Sequence, residues 1–349
     1  MKELKVYDHT IGKADSVYFI AEMSANHAGS KERALEIVHA AKEAGADCVK
    51  IQTYTPDTMT IDCQNDYFNL KSGTWAGENL YRLYQKAYTP WEWQADIKAE
   101  AEKIGLDFFS TPFDLTSVDF LEEIGVSFYK IASFELIDIP LIRYVASKKK
   151  PMIVSTGMGN VGEIQEAVDA IRSMGNDQIA LLKCTSAYPA DCSHMNLRTL
   201  PNMKEMFDVP VGLSDHSLGS TASIAAVCMG ATIIEKHFGI DRKIDNPDAS
   251  FSMEPAEYKK MVEEVRNGCN ALGTVSYHVN EAEMSDYTNR RSIFVVKDIK
   301  KGETLTKENV RIIRPGFGLV PKYYDMVLGQ HALVELKRGT PLSFEIIGG

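Results

Sequence analysis

Eight times between Val17 and Leu272 a short apolar run is followed by an amphipathic stretch with helical spacing. The strand-like runs fall at 17–22, 48–53, 107–111, 128–132, 151–155, 179–184, 210–214 and 232–236. Helical stretches follow at 31–44, 92–104, 115–124, 138–148, 160–173, 196–206, 219–229 and 255–271. Strands separated by helices pair in parallel, because each crossover returns the chain to the same end of the sheet. Eight such units over this span match a (β/α)8 barrel, typically about 250 residues. A doubly wound sheet is the alternative, but unbroken succession favours closure. The expected fold is therefore α/β, a (β/α)8 TIM barrel.

Alternation within the runs supports this. In Cys48-Val49-Lys50-Ile51-Gln52, Val49 and Ile51 face the helices, while Cys48, Lys50 and Gln52 face the barrel interior. Several runs end in polar residues that such runs should not carry: Glu22, Lys50, Lys130, Lys183, Ser214-Asp215-His216 and Glu235-Lys236-His237. A lone buried charge costs several kcal/mol, so repeated burial without partners is implausible. In parallel strands these ends converge on one site, where barrel enzymes carry their chemistry. That site is expected to hold the missing partners.

The chain carries a net charge of −10, which argues against a nucleic-acid or anionic-membrane surface. Basic residues gathered inside it therefore suggest a small anionic ligand. No apolar stretch reaches the roughly 18 residues of a membrane span. The stretch from Met1 to Asp15 is mixed and charged, unlike a signal peptide. The six cysteines are scattered, as reduced thiols in cytoplasm would be. A cytoplasmic location is expected.

The second strand is followed by a long excursion from Tyr54 to Tyr88 containing Trp75, Tyr81 and Tyr84. Loops of this length are usually lids or binding loops, although a packed surface excursion has equal claim. The barrel is assigned to residues 1–272, a polar linker to 273–290, and a small β-rich module to 291–349.

His216 and His237 end consecutive predicted strands and would be neighbours at the barrel mouth. Two imidazoles can hold a divalent metal and leave positions open for water and substrate. Lys50 and Lys130 project into the same mouth, with hydroxyls on Thr111, Ser133, Ser155, Ser186 and Ser214 around them. Ammonium groups with hydroxyls suit a phosphate or carboxylate. Glu22, the carboxylate at the first strand end, is placed to act as general acid or base, or to pair with a lysine. Gly157-Met158-Gly159-Asn160-Val161-Gly162 matches G-x-G-x-x-G formally, but the next strand ends in Lys183-Cys184, without the acidic residue that a ribose requires. A tight turn, whose amides could help bind an anion, is the better account.

These residues lie in motifs resembling the sialic acid synthase family. They are Ala21-Glu22-Met23-Ser24-Ala25-Asn26-His27, Val49-Lys50-Ile51-Gln52-Thr53, Ser110-Thr111-Pro112-Phe113, Tyr129-Lys130-Ile131-Ala132-Ser133, Ser155-Thr156-Gly157-Met158, Gly212-Leu213-Ser214-Asp215-His216 and Glu235-Lys236-His237-Phe238. The C-terminal module, with Lys300-Lys301-Gly302-Glu303 and Ile313-Arg314-Pro315-Gly316, is similar to that family's antifreeze-like (SAF) domain. The excursion, with Trp75-Ala76-Gly77 and Trp91-Glu92-Trp93, most resembles the family's pseudaminic acid branch.

The resemblance implies condensation of phosphoenolpyruvate with an acetamido sugar, using a divalent metal, Mn2+ or Mg2+, on His216 and His237. It implies that Lys50, Thr111, Lys130, Ser133, Ser155 and Ser214 contact phosphoenolpyruvate, and that Glu22 is the catalytic carboxylate. Ser186 joins the phosphoenolpyruvate set, standing where the family usually carries asparagine. Gln52, Glu135, Tyr188 and Asp248 match sugar-side positions. Arg314 matches an arginine that one subunit inserts into its partner, implying a domain-swapped homodimer. Other members with the same chemistry on another sugar, a Schiff-base aldolase using Lys130 or Lys183, and an ice-binding module are the competing readings. The last would require a flat, threonine-rich face, whereas the module carries Lys297, Lys300, Lys301, Lys307, Arg311 and Arg314.

Overall fold

The computed structural model describes residues 3–13 and 16–349, so Met1 and Asp15, which bound the charged N-terminal stretch, lie outside the described residues. The chain divides into two compact units, the first ending at Gly273 and the second running Thr274–Gly349.

The first unit opens with an antiparallel hairpin, β1 (Leu4–Val6) and β2 (His9–Ile11). Then come β3 (Tyr18–Glu22), β4 (Cys48–Thr53), β5 (Asp107–Pro112), β6 (Tyr129–Ile131), β7 (Met152–Ser155), β8 (Ile179–Cys184), β9 (Val211–Asp215) and β10 (Ile233–His237). All pair in parallel with their sequence neighbours, and β10 closes onto β3 to complete the barrel. Between and after the strands run α1 (Lys31–Glu43), α2 (Pro56–Met59), α3 (Leu80–Ala87), α4 (Trp91–Lys103), α5 (Leu115–Glu123), α6 (Ile139–Ser147), α7 (Val161–Ser173), α8 (Thr199–Phe207), α9 (Thr221–Cys228) and α10 (Pro255–Leu272). The expected closure and element order hold.

Several helices start where a polar side chain can take up their free amides. Ser30 caps α1 by accepting from Arg33 N, and Asp114 caps α5 by accepting from Thr116 N and Ser117 N. Asn160 and Glu163 form a reciprocal capping box at α7.

Side-chain alternation sorts the apolar residues into two cores. Val49, Ile51, Ile131, Val154, Leu213 and Ile234 pack between the strands and the helices. Ile20, Cys48, Phe109, Phe128, Ile153, Ala180, Leu182 and Ile233 fill the barrel interior. Leu4, Val6 and Ile11 from the hairpin join this inner cluster. They are shielded from water, while the intervening Lys5 is exposed. With its lower interior filled by hydrocarbon, the barrel has room for polar groups only towards the C-terminal strand ends.

In the second unit, β11 (Ser292–Val295) pairs antiparallel with β12 (Val310–Ile313), and β13 (His331–Ala332) with β14 (Ile347–Gly348). Its core gathers Ile293, Val295, Ile299, Leu305, Val310, Val327, Leu336, Leu342 and Ile347. Helix α11 (Glu281–Tyr287) forms within the stretch read as linker, capped by Asn280 and exposed along its length.

Candidate active site

The mouth is built on charges that partner one another. Glu22 and Lys50 are register neighbours on β3 and β4. Lys50 Nζ lies 3.1 Å from Glu22 Oε2 and 3.0 Å from Glu235 Oε1 on β10. Lys130 Nζ on β6 lies 3.5 Å from the same Glu235 oxygen, which also accepts from Ser214 Oγ at 3.1 Å. All four ionisable side chains are buried. The partner expected for the lysines is therefore Glu235 together with Glu22. Glu235 was not among the site residues predicted, although it was visible as an inward carboxylate two residues before His237.

Burial and charge set the protonation states. Burial pushes the Glu22 carboxyl up to about 7, with the Lys50 ammonium pulling against it. Burial works in the same sense on Glu235, but the ammoniums of Lys130 and Lys50 outweigh it and hold that group down to about 2. Burial draws the Lys130 ammonium down to about 8, with Glu235 opposing the fall. Near neutral pH, then, one carboxylate is firmly ionised and the other is poised between its two forms. The two ammoniums leave a net positive charge.

Hydroxyls complete an anion cradle. Thr111 Oγ1 and Ser155 Oγ are sealed from water and have no hydrogen-bond partner among the described residues. Buried polar atoms left unpaired point to an absent ligand. Ser133 Oγ accepts from Gly157 N at 3.1 Å. A side chain on Gly157 would meet Ser186 Oγ at 2.3 Å and Ser133 Oγ at 2.7 Å, so this turn lies tight against both hydroxyls. The neighbouring amides are spent: Gly162 N and Glu163 N donate to Asn160 Oδ1. Helix α7 thus offers no free amides at those positions, and the anion help expected from the glycine-rich turn falls to the side chains.

The imidazoles of His216 and His237 stand with ring centroids 5.4 Å apart. His216 Nδ1 donates to Thr185 O at 3.1 Å, which leaves Nε2 as its open nitrogen. His237 Nδ1 is buried without a hydrogen-bond partner, 3.7 Å from Asp248 Oδ2. No cluster of three or more histidine, cysteine or acidic side chains arranged for a metal occurs among the described residues. Two imidazoles with an orphaned nitrogen fit a divalent ion whose remaining positions go to water and substrate.

The sugar-side candidates divide. Gln52 Nε2 donates to Glu22 Oε1 at 2.9 Å and to Ser24 Oγ at 3.0 Å. Asp248 Oδ2 accepts from Ala25 N at 3.0 Å. The Tyr188 ring lies 4.3 Å from His216 and 5.1 Å from Phe251. Glu135 is half-buried, pushed up to about 7 by burial, and its Oε2 lacks a partner. Arg314 belongs to the second unit and is exposed there, just past β12.

Part of the long excursion reaches this rim. Trp75 packs against Tyr188 and Phe251 at 5.4 and 6.2 Å and donates Nε1–H to Pro247 O at 2.8 Å. Two charged strand-end residues turn away from the mouth. Asp215 and Lys236 face the helices and pair with each other at 2.9 Å. Lys183 also has the outward parity, with its Nζ on Cys184 O at 3.0 Å, which removes it as a Schiff-base candidate in the mouth.

Fold and site together define a (β/α)8-barrel enzyme with a cationic, hydroxyl-lined mouth beside two imidazoles, followed by a small β-rich SAF unit. The chain belongs to the NeuB family, whose profile matches residues 37–277, and a SAF domain matches residues 290–345. The pseudaminic acid synthase of Campylobacter jejuni subsp. jejuni serotype O:2 is 45% identical over 326 residues, spanning 93% of this chain and 95% of that protein. That of Helicobacter pylori is 44% identical, over 94% of this chain and 97% of its own length. The crystal structure of the N-acetylneuraminic acid synthetase of Leptospira borgpetersenii superposes with a TM-score of 0.73 at 30% identity, covering 82% of this chain and 95% of that one.

Proposed function

We propose that the chain is a pseudaminic acid synthase. It joins C3 of phosphoenolpyruvate to the aldehyde carbon of 2,4-diacetamido-2,4,6-trideoxy-altropyranose in its open form, giving a nine-carbon 2-keto sugar acid and phosphate. The observation that carries this reading is the pair of buried ammoniums, Lys50 and Lys130, beside the unpaired hydroxyls of Thr111 and Ser155. A doubly anionic donor satisfies all four.

Lys50 and Lys130 hold the donor's carboxylate and phosphate, and Ser133, Ser155, Ser186, Ser214 and Thr111 supply hydroxyl contacts. His216 and His237 would hold the divalent metal, Mn2+ or Mg2+, which when bound supplies Lewis acidity towards an aldehyde oxygen. Gln52, Glu135, Tyr188 and Asp248 orient the sugar. As C3 attacks, positive charge grows at C2. Water adds there, and phosphate leaves with its bridging oxygen. Glu22, poised near neutrality, takes the proton of the added water or gives one to the former aldehyde oxygen, which becomes the new hydroxyl.

The same reading makes the enzyme a domain-swapped homodimer in which Arg314 serves the mouth of a second copy. Supporting it, Phe134 and Ile137 after β6, Met158 after β7 and Val161 at the start of α7 stand exposed. It also locates the enzyme in the cytoplasm, where phosphoenolpyruvate is made.

The deciding experiment is phosphate release from phosphoenolpyruvate with each candidate sugar in turn. The diacetamido altrose should be turned over fastest. Faster release with N-acetylmannosamine or with the diacetamido mannose isomer would reassign the chain to N-acetylneuraminic or legionaminic acid synthesis.

A further inference from the structure

We infer that the buried ion pair between Asp215 and Lys236 is a positioning device that sets the relative aim of the His216 and His237 imidazoles towards a divalent cation. The inference rests on the metal reading given above and assigns the pair a part in it.

Asp215 and Lys236 are register partners across β9 and β10, and each is followed by a histidine, His216 just past β9 and His237 at the end of β10. The ion pair therefore links the strands on the helix-facing side, directly behind the imidazoles. Lys236 Nζ reaches Asp215 Oδ2 at 2.9 Å, with both side chains almost wholly shielded from water. Asp215 is saturated: Oδ1 accepts from Ser217 N at 2.9 Å and Ser217 Oγ at 2.7 Å, and Oδ2 from Ser223 Oγ of α9 at 2.8 Å. Lys236 Nζ also donates to Ser217 O at 2.6 Å. The backbone on both sides of His216 is thereby pinned to β10.

His237 needs such an anchor. His216 has its ring fixed by Thr185 O, whereas the Nδ1 of His237 makes no hydrogen bond. Its ring is aimed by the β10 backbone and by packing on Phe251 at 5.0 Å. Lys236 holds that backbone. Stability alone is a poor account of the pair, since a buried ion pair recovers little more than its desolvation cost. Fixing register is the better attested use of such pairs.

The test is a titration of the metal-stripped full chain with Mn2+, without substrates, following free Mn2+ by electron paramagnetic resonance. The visible spectrum of the Co2+-loaded chain is recorded alongside. His237→Ala calibrates loss of a ligand. Lys236→Met should weaken Mn2+ binding about 10- to 100-fold, the usual effect of losing a group that orients a ligand. Ser223→Ala, which removes one hydroxyl, should weaken it severalfold, and both should alter the Co2+ bands. An unchanged Kd and spectrum in Lys236→Met overturns the inference alone. Should that variant fail to fold, an unchanged Kd and spectrum in Ser223→Ala does the same. If the unsubstituted chain binds Mn2+ no better than His237→Ala, the metal reading falls and the inference with it.

Discussion

Lys50 Nζ lies 3.0 Å from Glu235 Oε1 inside the barrel, and neither side chain is open to water. Among the described residues, Glu235 is the one carboxylate that pairs with both lysines of the mouth. Its negative charge favours the ammonium form of both and offsets the repulsion between them.

Removing that charge should show in the binding of phosphoenolpyruvate. In Glu235→Gln, Lys130 loses the carboxylate that opposes its fall in pKa, so it should lose its proton below about 8. The KM for phosphoenolpyruvate should then rise roughly tenfold at pH 8 and much less at pH 6.5. KM measured across that range checks this, and a uniform shift would refute it.

Glu22 and Lys130 also set the pH dependence of the unsubstituted enzyme. A cationic Lys130 binds the donor, so kcat/KM for phosphoenolpyruvate should decline as pH rises through about 8. Glu22 changes form near 7 and should impose a second limb there. Glu22→Gln should remove that limb and lower kcat by about 100-fold or more, as loss of a general acid or base does. A profile unchanged by the substitution would rule out proton transfer by Glu22.

Gly157→Ala tests the cradle without touching a charge. Its added methyl group would meet Ser186 Oγ at 2.3 Å and Ser133 Oγ at 2.7 Å. Both hydroxyls must swing aside, so the KM for phosphoenolpyruvate should climb about tenfold while the sugar KM stays near its original value. Equal changes in both would mean that these hydroxyls do not face the donor.

Leu4→Ala probes the hairpin that fills the barrel floor. Leu4 is fully buried in the inner cluster, and truncating such a side chain costs about 2–5 kcal/mol. The melting temperature should fall with both KM values unchanged. A change in KM would show that the hairpin reaches the mouth.

Much of this fold is legible because period-2 alternation and helical spacing are local properties. Val49 and Ile51 announce one face of β4, and Cys48 and Lys50 the other, before any contact is known. Capping is local too, as at Ser30, Asp114 and Asn160. The hairpin of β1 and β2 escaped notice because three-residue strands with Lys5, His9 and Thr10 look like a charged tail. Only the open barrel floor makes them a plug. Helix α11 is equally hard to read, because it is exposed along its length and Met284 and Tyr287 form no buried apolar stripe.

The same limit applies at the site. Glu22, Lys50, Lys130, His216 and His237 could be named as inward strand ends, since parity decides inwardness. Which carboxylate would meet which lysine could not be read, because Glu235 and Lys130 are far apart in sequence and meet only across a closed ring. Nor could sequence tell that Asp215 and Lys236 answer each other behind the wall while Glu235 and Ser214 do so within it. The chain alone determined the elements, their order and the side of each strand that faces inward, all consequences of short-range stereochemistry. Closure alone decided the pairing of charges and the protonation states that follow. Coulomb energy and desolvation depend on distances through space, and the fold sets those distances.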